Sequence, residues 1–182
     1  MNWLKVMRRV LDLALIASTG TLLAVAIMGR GVPAMGWTTL IVRGPSMAPA
    51  IPVGAVLLAE PVDDRQLRTG DVVAVQVDPE HSIFTHRIAG IVVRDDGLWI
   101  QTKGDANATP DPVLTPATAV LGRVKFLVPV LGYLMALLST LSGMIAVSGV
   151  LASLVVGRWL LATFETEAEP RPSARPVHAA SR

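Results

Sequence analysis

A serine, a histidine and two aspartates follow one another in three short stretches: Gly44-Pro45-Ser46-Met47-Ala48-Pro49, Thr85-His86-Arg87-Ile88, and Gly104-Asp105-Ala106-Asn107 followed by Asp111. A serine hydroxyl attacks an amide near neutral pH only when a base takes its proton, and the base works best when an acidic group orients it. Ser46 stands among Pro45, Pro49 and Pro52, which fix φ and remove amide donors, so its loop is stiff. Fixing favours a nucleophile, because orientation can lower a barrier by about 7–11 kcal/mol. Taken alone, Ser-Met-Ala-Pro is more often a turn whose hydroxyl bonds its own backbone. His86 is the candidate base, since histidine ordinarily titrates close to neutral pH. Lys103 is a rival, but a lysine base must be buried enough to lose its proton, and Lys103 leads into a polar turn. Asp105 and Asp111 lie in a Gly/Asn/Pro-rich loop, where carboxylates often make Asx turns, and either could hold the far nitrogen of the imidazole. Met47 and Pro49, beside the serine, are expected to contact substrate. The spacing of His81 and His86 suits neither a strand face nor a helix face, and His178 lies near the C-terminus, so no metal or other cofactor is expected.

The elements that must position these groups read as β structure. Runs of β-type residues at 39–43, 55–60, 72–77, 84–93, 98–103 and 119–126 are separated by turn signals, among them Thr69-Gly70-Asp71 and Asp95-Asp96-Gly97. The last of these predicts a hairpin between 84–93 and 98–103. Residues 30–125 therefore read as a mainly β, mostly antiparallel domain. They carry nine basic and ten acidic residues, and the whole chain has a net charge of +2, so no nucleic-acid partner is expected. The chain contains no cysteine, which excludes a disulfide framework, a zinc–thiolate site and a cysteine nucleophile.

Apolar residues make up 52% of the 182 and gather toward both ends. Residues 10–29 read as a transmembrane helix preceded by a short basic segment, 1–9, with Asp12 near its start. A cleaved leader would have a shorter apolar run. The second apolar stretch has no charge from 126 to 157. Pro129 and Gly132 divide it into an interfacial segment, 126–140, with a helix at about 128–138, and a second span at 141–161. Residues 162–182 read as a disordered tail. Lys5, Arg8 and Arg9 at one end and Arg158, Arg171, Arg175 and Arg182 at the other put both termini in the cytoplasm. The β domain is then extracytoplasmic, on a multi-pass protein of the cell membrane.

Together the stretches resemble the type I signal peptidases. Gly44-Pro45-Ser46-Met47-Ala48-Pro49 is similar to the family's Ser-Met-x-Pro box, and Gly70-Asp71-Val72-Val73 to its Gly-Asp-Val-Val segment. His86-Arg87-Ile88 resembles its His-Arg box, and Thr102-Lys103-Gly104-Asp105-Ala106-Asn107 with Asp111 resembles its Lys-Gly-Asp-Asn-Asn…Asp box. The resemblance runs from about 40 to 124. The histidine is that of the archaeal and endoplasmic-reticulum branch, where most bacterial enzymes carry lysine. The resemblance implies Ser46 as nucleophile, His86 as general base, Asp111 as the aspartate serving the base and Asp105 as a second important aspartate. Ala106, where asparagine is usual, and Pro45, where a small or polar residue is usual, depart from the pattern. The expected function is a membrane-bound serine endopeptidase that cleaves N-terminal signal peptides from exported preproteins. Its expected partners are those preproteins, the lipid bilayer and the protein-translocation machinery. The competing reading is a non-catalytic, membrane-anchored β module that binds an exported partner.

Overall fold

The computed structural model of the chain describes residues 3–76 and 82–168. Among them is a seven-stranded sheet made of β1 (Thr38–Ile41), β2 (Val56–Glu60), β3 (Val72–Gln76), β4 (Ile83–Arg94), β5 (Gly97–Lys103), β6 (Thr115–Pro116) and β7 (Val120–Val128). Their spatial order is β1-β2-β7-β3-β4-β5-β6, with every pairing antiparallel. The hairpin of β4 and β5 turns through Asp95 and Asp96, with Arg94 paired to Gly97. Strand β6 was not expected. It is two residues long and contains a proline, so it has no alternation to read, and it is set only by pairing with Trp99 and Ile100.

Alternate side chains of a strand point to opposite faces. On β3, Val73 and Val75 enter a core with Leu67, Ile88, Ile100 and Ala117, while Val72 packs on a second cluster of Met47, Ile51, Ala55 and Leu57. Burying each large aliphatic side chain stabilises the fold by about 1.5–3 kcal/mol. Charges tie the strands together at one edge of this packing. Arg123 of β7 binds Glu60 of β2 at 2.7 Å and Asp71, just before β3, at 3.4 Å, and Lys125 also reaches Glu60 at 3.1 Å. The two cations hold the Glu60 carboxyl below its ordinary range.

The chain divides into two compact units, residues 22–144, which contain the sheet, and residues 1–21 with 145–182. The first long helix begins as α1 (Trp3–Ala26), passes through a π-helical turn at Ile27–Gly31 and ends as α2 (Val32–Ala34), beyond the expected end at 29. Pro33 explains the irregularity, because it has no N–H to return to the preceding turn. In π-helical register Pro33 would be the partner of the Met28 carbonyl, which instead accepts the Thr39 hydroxyl at 2.8 Å. After the sheet come α3 (Leu131–Leu138) and α4 (Leu141–Ala168). The helix expected from 128 starts later because β7 keeps pairing with β2 through Val128. Helix α3 is seated on the Val53–Gly54 turn, where the Gly132 N–H donates to the Gly54 carbonyl at 3.0 Å and the Tyr133 hydroxyl to the Val53 carbonyl at 3.2 Å.

Trp3–Ala34 and Leu141–Phe164 are both long and apolar enough to cross a membrane. Asp12 of α1 is ion-paired with Arg158 of α4. Helix α4 continues to Ala168, past the expected end at 161, and the rest of the expected tail, 169–182 with His178, lies outside the described residues, as does His81.

Candidate active site

The serine loop runs from Val42 to Ala55 and is closed at its base by two hydrogen bonds. The Val42 N–H donates to the Ala55 carbonyl and the Gly54 N–H to the Val42 carbonyl, each at 2.9 Å. Gly54 sits at φ +82°, and a Cβ there would lie 2.0 Å from the Tyr133 ring, so both its backbone and its surroundings require glycine. Inside the loop, Met47 is 2% exposed and packs with Ile51, Ala55 and Leu57. It anchors the loop to the core, and Ser46 is left half-buried beside it. The Ser46 hydroxyl makes no hydrogen bond to a described residue.

His86 and Arg87 are neighbours on β4, so they leave opposite faces of the sheet. The ladder fixes what each meets. Arg87 is opposite Val72 on one side and Lys103 on the other, whereas His86 is opposite Val73. One step past the last pair of the β4–β5 ladder, His86 faces Gly104. The loop after β5 supplies a carboxylate to each face. His86 Nδ1 meets Asp111 Oδ2 at 2.6 Å. Arg87 donates through Nε to Asp105 Oδ1 at 2.8 Å and through Nη2 to Oδ2 at 2.7 Å. The spacing left either aspartate possible and the resemblance implied Asp111; in the structure Asp111 touches the imidazole, and Asp105 forms a two-point pair with Arg87 instead. The guanidinium holds the Asp105 carboxyl below its ordinary range, and the Arg87 cation is stabilised in return. Arg87 Nη1 also donates to the Gly70 carbonyl at 2.8 Å, while the Ile88 N–H donates to the Asp71 carbonyl at 2.8 Å. The Gly70-Asp71 segment therefore braces the strand that carries His86.

Two further residues, inside a quoted stretch but without an expected role, complete the arrangement. Thr102 is fully buried and donates its hydroxyl to Asp111 Oδ2 at 2.6 Å, and the Asp111 N–H donates to the Thr102 carbonyl at 2.8 Å. Gly104 lies where serine loop and imidazole converge. A Cβ on it would stand 2.6 Å from the Ser46 carbonyl oxygen and 3.0 Å from His86 Nε2. The Ser46 carbonyl is itself held, accepting the Ala106 N–H at 2.9 Å. With Nδ1 against the carboxylate, the other ring nitrogen, Nε2, lies beside Gly104 on the side of the serine loop. This is the orientation that a general base for a hydroxyl needs.

No family model matches the chain. Two curated proteins do. Signal peptidase I W of Bacillus subtilis (strain 168) is 37% identical over 83 residues, 44% of this chain and 43% of that protein. The signal peptidase complex catalytic subunit sec11 of Dictyostelium discoideum is 32% identical over 101 residues, 51% of this chain and 56% of that protein. Over these segments the chain is similar to type I signal peptidases. It spans about half the length of the curated relatives it matches.

A cleft of about 660 Å³ opens beside Ser46, between β1 and the start of β4, with Leu40, Val42, Met47, Phe84 and Thr85 among its walls. The Phe84 ring lies 4.9 Å from that of His86, so the cleft and the imidazole share a wall. Of the two residues expected to meet substrate, Met47 contributes to the cleft with what little of it is exposed, while Pro49 is exposed and does not line it. Lys103 pairs with Arg87 across the ladder, on the face away from the imidazole. The apolar helices and the relatives together point to a membrane protein.

Proposed function

We propose that this chain is a membrane-bound serine endopeptidase of the histidine branch, cleaving N-terminal signal peptides from exported preproteins. The reading is carried by the 2.6 Å contact of His86 Nδ1 with Asp111, which leaves Nε2 on the side of Ser46. Ser46 Oγ attacks the scissile carbonyl as its proton passes to Nε2. The imidazolium, stabilised by Asp111, returns that proton to the leaving amine, and water then hydrolyses the acyl-enzyme through the same base. The Ser46 N–H is the natural first donor to the oxyanion. Strand β1 ends the sheet and borders the cleft, so an extended substrate could pair with its backbone and place a small side chain beside Met47. The basic flanks of the two apolar helices favour cytoplasmic termini and an extracytoplasmic site, where the translocation machinery would deliver the substrate.

Substitution of the two aspartates in turn tests the assignment. Asp111→Asn should lower kcat by roughly 10,000-fold, because an amide stabilises the wrong tautomer and cannot balance an imidazolium. Asp105→Asn, which removes a partner of Arg87, should lower it far less. Equal losses, or the reverse order, would refute Asp111 as the residue serving His86.

A further inference from the structure

We propose that Thr102 is a positioning residue of the Ser46–His86–Asp111 site, fixing the same carboxylate oxygen that holds the imidazole. This deepens the peptidase reading and rests on it. Thr102 pairs with Ile88, two positions along from the point opposite His86, so its side chain stands on the imidazole's face of the sheet. It is 0% exposed, and its hydroxyl and His86 Nδ1 converge on Asp111 Oδ2, each at 2.6 Å. Its carbonyl meanwhile takes the Asp111 N–H at 2.8 Å. One residue therefore grips Asp111 at both main chain and carboxylate.

The grip has a purpose that burial alone does not explain. A buried hydroxyl that needed only a partner could use a backbone carbonyl. Here it is spent on the carboxylate, which hangs from a loop of Pro110, Asp111 and Pro112 with no ladder of its own. Without the hydroxyl the carboxylate could turn about its side-chain torsions. With it, Oδ2 stays aimed at Nδ1 and the lone pair of Nε2 stays on the serine's side. The β-branch of threonine restricts its own rotamers, which strengthens the hold.

The test measures preprotein cleavage by the full chain in detergent, using a substrate with an Ala-x-Ala cleavage site, for Thr102→Val and Thr102→Ser. Loss of a hydrogen bond to a charged group corresponds to about a 10- to 100-fold fall in kcat for Thr102→Val, with KM little changed. Thr102→Ser, which keeps the hydroxyl, should recover most of that rate. In an Asp111→Ala background Thr102→Val should cost nothing further, since the group it acts through is gone. The low-field proton resonance of His86 Nδ1–H should move in Thr102→Val and stay in Thr102→Ser. If Thr102→Val does not fold, Thr102→Ala against Thr102→Ser supplies the same contrast. Wild-type kcat in Thr102→Val, an equal loss in Thr102→Ser, or a full additive loss in the Asp111→Ala background would each overturn the inference. Cleavage that survives Ser46→Ala would instead remove the peptidase reading, while the Nδ1–H resonance would still decide whether Thr102 holds the imidazole's partner.

Discussion

Gly104 shows how little room the candidate site leaves. It lies opposite His86 at the end of the β4–β5 ladder, and a single added methyl group would press on both Nε2 and the Ser46 carbonyl. Gly104→Ala should therefore fold and yet lose activity, by about 100-fold for a displacement near 1 Å, as measured by kcat alongside a thermal melt. Asp105 carries a different prediction. Its carboxyl is held low by the Arg87 guanidinium. A carboxyl depressed in the folded state contributes stability above its unfolded value of about 3.9, and that contribution is lost as pH falls through the folded value. The urea midpoint of the wild type should thus exceed that of Asp105→Asn at pH 7, with the gap closing below about pH 4. A gap that does not change with pH would mean that the ion pair contributes nothing through its charge. At this scale the residue types and spacing named candidate side chains without their pairing, which only the family resemblance implied. His86 and Arg87 are adjacent, so they must face opposite ways, yet which aspartate meets which depends on the path of the 104–111 loop. Thr102 was hidden for a similar reason, since a threonine inside a β run looks like any other strand residue.

The elements divide by how much of their placement is local. Strands β2 to β5 and β7 are legible because alternating or continuous apolar runs end in Gly, Pro or Asp turns. Strand β6 and the late start of α3 depend on long-range pairing, with Trp99–Ile100 in one case and β2 in the other, and no local pattern announces them. The join between β7 and α3 also holds strain. Val130 has φ 67°, a left-handed conformation that a β-branched residue seldom adopts, and its side chain is 69% exposed. Val130→Gly should relieve about 1 kcal/mol of that strain, raising the melting temperature in detergent without changing kcat. A lower melting temperature would show that the valine side chain contributes more than its backbone costs.

For the molecule as a whole, the proposed preprotein substrate would bring an apolar helix for the bilayer and an extended segment for the cleft beside Ser46, and the chain has two helices long and apolar enough to cross a membrane. The irregular end of the first helix, with Pro33 and the Thr39 hydroxyl on the Met28 carbonyl, leads directly into β1 at the border of that cleft. The central claim is that Ser46 breaks a preprotein chain after its signal peptide. The full chain in lipid vesicles should release mature protein from a preprotein, with a new N-terminus following the Ala-x-Ala site. Ser46→Ala should melt at the same temperature and release none. Equal release by Ser46→Ala, or no release by the folded wild type, would contradict the account.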